Sequence, residues 1–200
     1  MKVIGLCGGS GSGKGTVSDL FRSHGIVSID TDKVYREITS SESECLDELV
    51  SNFGERILTD SGALDRGELR KIVFADEAQD KLKKLNEITH RHVLARTREL
   101  TEDFRRSGAP AVLIDAPLLF ESGFDKECDA VIAVLADREV RIFRIISRDG
   151  ITREDAERRI NSQLDDGYLI ANSAYHIFNN GSISELEASV SEIADKILRM

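Results

Sequence analysis

Apolar residues crowd into five short, mostly unbroken runs, at "KVIGLC" (Lys2–Cys7), "IVSID" (Ile26–Asp30), "AVLID" (Ala111–Asp115), "DAVIAVLA" (Asp129–Ala136) and, more weakly, "YHIF" (Tyr175–Phe178). Runs of this length without polar alternation predict strands buried on both faces. Helical patterns stand between or after them, so the expected architecture is a five-stranded parallel sheet flanked by helices. The chain opens as β-loop-α-β, with a helix-capable segment from Lys14 to about His24. A different period governs the stretch between Gly67 and Gly108, which holds neither Gly nor Pro. There Leu69, Ile72, Val73, Leu82, Leu85, Ile88, Val93, Leu100 and Phe104 recur at helical spacing. This predicts a helical insertion between the second and third strands. No repeat, low-complexity tract or long linker interrupts the chain, which reads as one domain over residues 1–200.

Composition narrows the function. A chain of 200 residues, 40% hydrophobic and 32% charged, is long enough to bury one substantial core. A net charge of −9 opposes a nucleic-acid surface, for which a basic stripe normally supplies the affinity. A small anionic ligand is compatible with it if cations are concentrated locally. No apolar stretch nears the roughly 18–20 residues of a membrane span, and the first residues lack a signal-peptide pattern. A cytoplasmic protein with no membrane partner, monomeric or weakly self-associating, is expected. Cys7, Cys45 and Cys128 are too scattered for a disulfide frame or metal clip and read as reduced, buried thiols.

The clearest chemical signal is the first loop, "GGSGSGKGT". Of the 15 glycines, Gly5, Gly8, Gly9, Gly11, Gly13 and Gly15 lie in the opening strand and loop. Backbone N–H groups wrap a phosphate only where side chains stay clear, and a following helix adds its positive end. Gly8, Gly13 and Lys14 fit G-x-x-x-x-G-K, the P-loop formula, with Lys14 placed for the β- and γ-phosphates. The expected cradle comprises Gly9, Ser10, Gly11, Ser12, Gly13, Lys14, Gly15 and Thr16. Gly15 departs from the formula, which has there the Ser or Thr that ligates magnesium. Either Thr16 supplies the hydroxyl, or magnesium is held mostly through water.

Acids and arginines complete the candidates. "SIDTD" puts Asp30 and Asp32 where the second strand meets its helix, at the carboxyl edge where open α/β sheets bind ligands. One of them can take a proton from an attacking hydroxyl; Asp32 can equally be a helix N-cap. Asp115 ends the third strand and reads either as a magnesium partner or as a simple strand-end acid. In "DREVRIFRIISRDG", Arg141, Arg144 and Arg148 share a helical stripe, with Val140, Phe143 and Ile146 expected to point away. With Arg153, Arg158 and Arg159 they suggest an arginine-bearing lid over a triphosphate, although such a charge run can also be a solvated face opposite water and nearby acids. His90 and His92, at i and i+2 on a helix, face different sides and are not expected to share a metal.

Taken in order, these segments resemble the dephospho-coenzyme A kinase family over nearly the whole chain. The resemblance is carried by "GLCGGSGSGK", "IDTD", "GALDRGELRKIVFAD", "LNEITHRHV", "DAPLLFESG", "RDGITREDAERRINSQ" and "IFNNGS". It implies a P-loop kinase fold and transfer of phosphate from ATP, with Mg2+, to the ribose 3′-hydroxyl of dephospho-coenzyme A. By position, Asp32 matches the family's proposed base and Lys14 its phosphate lysine. Arg144 and Arg148 match the lid arginines, and Asn179 and Gly181 the loop near the adenine. The implied layout is a core of residues 1–33, 109–137 and 174–200, a coenzyme A-binding insertion of 34–108 and a lid of 138–173. The chain differs from the family at Gly15, at Arg91, where a proline commonly follows the histidine, and at Phe178, where an acid is common. The alternatives are a nucleoside monophosphate kinase, whose loop ends in a similar "GKGT", or a nucleotide-binding regulator without acceptor chemistry.

Overall fold

The computed structural model describes residues 1–40, 42–75 and 79–200. Its sheet contains β1 (Lys2–Cys7), β2 (Val27–Asp30), β3 (Ala111–Asp115), β4 (Ala130–Leu135) and β5 (Tyr175–Phe178). All are parallel, in the order β2-β3-β1-β4-β5. The first strand is therefore central, and the chain goes to one side of it before returning to the other. Such a reversal leaves a crevice at the carboxyl ends of the strands, and the glycine loop leaves β1 there. Residues Ala111–Ile114 and Ile132–Val134 are almost wholly buried, which accounts for their unbroken apolar character.

Two compact units make up the chain, Met1–Asp30 with Thr101–Met200, and Thr31–Leu100. In the first, α1 (Lys14–Ser23) and α9 (Ile183–Arg199) pack Val17, Phe21, Val190 and Ala194 against Ile4, Leu113 and Ile132 of the sheet. Each large apolar side chain so buried contributes about 1.5–3 kcal/mol before entropy is counted. A reciprocal capping box between Ser182 and Glu185 begins α9. Three further helices, α6 (Arg138–Asp149), α7 (Arg153–Asn161) and α8 (Asp166–Ala171), follow β4. Ile142 and Ile145 of α6 meet Ala156 and Ile160 of α7. Thr152 and Asp165 cap α7 and α8 through their side chains.

The second unit is helical and has its own core. It contains α2 (Thr31–Ile38), α3 (Glu44–Phe53), α4 (Arg66–Val73) and most of α5 (Gln79–Arg106). Leu49, Ile57, Leu69, Val73 and Ile88 are among its buried residues, and Ser43 and Asp65 cap α3 and α4. The Gly-free and Pro-free stretch thus supplies most of α4 and all of α5, while Asp76, the last residue of "GALDRGELRKIVFAD", lies outside the described residues. Arg91 lies within the unbroken α5, where a proline would have removed a helical N–H. Its guanidinium and His92 both bond Glu48 of α3, the histidine Nε2 at 2.8 Å from the Glu48 Oε2. Both partners hold the Glu48 carboxyl below its usual range, Arg91 chiefly.

Candidate phosphate site at the glycine loop

Gly11 and Gly13 have φ of 80° and 92°, in the left-handed region that favours glycine. The loop's carbonyls are claimed by the protein. Arg141 Nε donates to Ser10 O at 3.0 Å, and Asn179 Nδ2 to Ser12 O at 2.8 Å. Arg144 Nη1 donates to Gly11 O at 3.2 Å and to Ser12 O at 3.4 Å. Helix α1 begins at Lys14, so the first N–H groups there have no acceptor within the helix and carry its positive end. Carbonyls held by side-chain donors and N–H groups left at a helix start make a loop that suits an anion. The Ser12 hydroxyl is buried without a protein hydrogen-bond partner, a polar atom that a phosphate oxygen or water would satisfy.

Charged groups collect at the same edge. Lys14 forms a salt bridge with Asp115 at the end of β3, and both side chains are largely buried. Asp30 is the register partner of Asp115 across the β2–β3 pair. Asp32 comes two residues later and lies inside the first turn of α2, so the N-cap reading is corrected: the helix already includes Thr31. Thr16 and Gly15 are exposed on the first turn of α1, and the direction a Gly15 side chain would take is open for 4 Å.

The arginine stripe divides. Arg141, expected to face a triphosphate or else water and nearby acids, is buried, 5% exposed, pairs with Asp166 and is bonded to the loop. With Arg141, Ile142 and Ile145 are the buried residues of α6, while Phe143, expected to point away from the arginines, is 70% exposed. Burial draws the Arg141 guanidinium below its ordinary value, and Asp166, which accepts from it at 3.1 Å, opposes the shift. Arg144 reaches the loop through its carbonyls. Arg148 pairs with Asp149 at the end of its own helix, which also bonds Arg159. Arg153 and Arg158 pair with Glu139 and Asp155. Gly181 precedes the capping box, and a side chain there would strike the Glu185 carboxylate. Asn179 is buried, its amide committed to Ser12 O. Gln163 was not singled out by spacing, because it lies on a turn far from the loop in sequence. Its Oε1 accepts from Ser10 N at 2.9 Å.

Comparison with known proteins agrees with this architecture. A sequence model described as dephospho-CoA kinase matches residues 2–185. A dephospho-CoA kinase of Fusobacterium nucleatum is 40% identical over 195 residues, covering 98% of each chain. One from Corynebacterium glutamicum is 38% identical over 198 residues, covering 99% of this chain and 98% of its own. Among solved structures, a dephospho-CoA kinase from Campylobacter jejuni has a TM-score of 0.74 at 25% identity, covering 98% of this chain and 97% of its own. A shikimate kinase from Bacteroides thetaiotaomicron shares the fold, with a TM-score of 0.57 at 16% identity over 100% of this chain and 99% of its own. With a P-loop kinase sheet, a glycine loop shaped for an anion, and relatives matched from end to end, the chain belongs to the dephospho-CoA kinase family.

Proposed function

We propose that this protein transfers the γ-phosphoryl group of ATP to the ribose 3′-hydroxyl of dephospho-coenzyme A, giving coenzyme A and ADP. The observation that carries the reading is the glycine loop, its carbonyls held away by Arg141, Arg144 and Asn179 and its helix start at Lys14, in a chain of this family. The residues present fit a triphosphate: N–H groups at a helix start, an orphaned buried hydroxyl at Ser12 and a lysine at the loop's end. Magnesium bound with the nucleotide supplies charge neutralisation and orientation of the phosphates. Thr16 and Asp115 offer the oxygen donors that suit this ion, with water as the remaining ligands.

In this reading Gly9 to Thr16 form the cradle, and Lys14 neutralises charge growing on the transferring group. Arg144 and Arg148 supply the lid cations, the latter by exchanging its Asp149 partner for phosphate. Asn179 and Gly181 lie on the side of the adenine. Asp32 orients the 3′-hydroxyl and accepts its proton as the oxygen attacks phosphorus. The reading also gives a cytoplasmic enzyme, monomeric or weakly self-associating, with no nucleic-acid or membrane partner; among the described residues no helix is long and apolar enough to cross a membrane. Family membership favours dephospho-coenzyme A over a nucleoside monophosphate as acceptor.

The test is acceptor selection. Purified protein is incubated with ATP, magnesium and a mixture of dephospho-coenzyme A, AMP, CMP and UMP, and the products are identified by mass. Phosphate gain by dephospho-coenzyme A alone is expected. Preferential gain by a nucleoside monophosphate would overturn the assignment.

A further inference from the structure

We infer that Arg141 and Gln163 are positioning residues that clasp Ser10 and hold the glycine loop in its binding shape, tying it to α6 and to the turn between α7 and α8. The inference rests on reading that loop as the nucleotide site. Every polar group of Ser10 is engaged by these two side chains. Its N–H donates to Gln163 Oε1 at 2.9 Å, its carbonyl accepts from Arg141 Nε at 3.0 Å, and its hydroxyl accepts from Gln163 Nε2 at 3.3 Å. Arg141 Nη2 donates to the same Gln163 Oε1 at 3.1 Å, closing the ring, and Nη1 donates to Asp166 Oδ1 at 3.1 Å.

The three guanidinium nitrogens are each committed within the protein, so Arg141 acts on the loop and not on the phosphates. A buried cation is tolerated only when paired and hydrogen-bonded, and Asp166 with two neutral oxygens meets that condition. Lysine would keep the charge but not the planar fork that bonds in three directions. Gly9 belongs to the same device. A Cβ there would lie 2.8 Å from Arg141 Cζ and 3.1 Å from Gln163 Oε1, so glycine at this position makes room for the clasp. A loop held in advance does not spend binding energy on its own ordering. Displacement of the α7–α8 turn that carries Gln163 would therefore be felt at the phosphates.

The test uses the full chain with Gln163→Ala and Arg141→Lys, singly and together. MgADP affinity is measured by calorimetry without acceptor, KM for each substrate by steady-state kinetics, and folding by circular dichroism. Gln163 sits on a turn, so its variant keeps the proposal testable if Arg141→Lys folds poorly. Each single change should weaken MgADP binding about tenfold, the effect of leaving a buried donor or acceptor without its partner. KM for ATP should rise in step while KM for the acceptor stays within about twofold, a split that general loosening of the fold would not give. The double variant should be little worse than either single, because both act through Ser10. Unchanged MgADP affinity in folded Gln163→Ala, or losses that multiply to about a hundredfold in the double variant, would overturn the clasp. Wild-type protein that binds no MgADP would overturn both this inference and the proposed function. If it binds MgADP but phosphorylates no acceptor, only the proposed function fails, and the affinities still decide the clasp.

Discussion

A methyl group added at Gly11 would come within 2.6 Å of the Arg141 carbonyl oxygen, and one at Gly9 would strike the Arg141 guanidinium, whereas at Gly15 it would meet nothing within 4 Å. The two halves of the loop therefore differ in why they lack side chains. At Gly8, Gly9, Gly11 and Gly13 the backbone is pressed against Val134, Arg141 and Asn179, so the protein's own packing demands glycine there before any ligand arrives. Gly15 lies in the first turn of α1 with open space before it. Nothing in the structure explains glycine there. A motif position can thus be glycine for the scaffold, and only a neighbour on a distant segment reveals it.

If the loop binds and the acid beyond β2 does chemistry, replacing each should leave the other's work intact. Asp32→Asn should give the largest effect, slowing phosphate transfer by about 10²–10⁴ while MgADP affinity stays near wild type. Asp30→Asn is the comparison, and a larger loss there would move the base to the other carboxylate. In the proposed role of neutralising charge in the transition state, Lys14→Ala should lower turnover by about 10²–10³ in a folded protein. Normal turnover would remove the loop from the reaction.

Within the loop the two halves should separate by stability. Gly11→Ala combines a left-handed φ with a backbone clash and should cost at least about 1–2 kcal/mol, read as a lower melting temperature and weaker MgADP binding. Gly15→Ser should instead be tolerated and raise stability by about 0.5 kcal/mol, since glycine is a poor helix residue. A destabilised Gly15→Ser would erase the contrast between the halves.

The smallest effect concerns the thiols. Burial pushes Cys7 and Cys45 from 9.0 up to about 11, and Cys128 up to about 12. The folded chain then holds these protons more tightly than the unfolded one, so their contribution to stability is complete below pH 9 and declines as pH rises from about 9 toward 11 for Cys7 and Cys45 and toward 12 for Cys128. Denaturant titrations across that range should show the decline, and Cys7→Ala should make it shallower. The same burial keeps the thiols protonated at neutral pH and slow toward alkylating reagents in the native state.

Much of the fold was legible because strand burial writes itself into sequence as unbroken apolar runs. The apolar runs Lys2–Cys7, Ala111–Asp115 and Tyr175–Phe178 coincide with β1, β3 and β5 at both ends. The loop was legible because its spacing reflects one local geometry. The place of Arg141 is not legible, because a stripe of arginines looks the same from sequence whether its members face an anion, water, nearby acids or a backbone. Its acceptor at Ser10 and its partners at Gln163 and Asp166 lie on other segments. Spacing places Phe143 away from the arginines but does not say which side of α6 is buried; Ile142 and Ile145 are covered by α7, which depends on where α7 lands.

Passage of phosphate from nucleotide to acceptor hydroxyl can be followed with ATP isotopically labelled in its γ-phosphoryl oxygens. Wild-type protein, magnesium and dephospho-coenzyme A are supplied together, and the products are separated and weighed by mass spectrometry. Coenzyme A carrying the full γ-phosphoryl label as a 3′-monoester, formed in step with ADP, is the expected product. Label appearing only in inorganic phosphate, with dephospho-coenzyme A recovered unchanged, would rule out transfer to the acceptor.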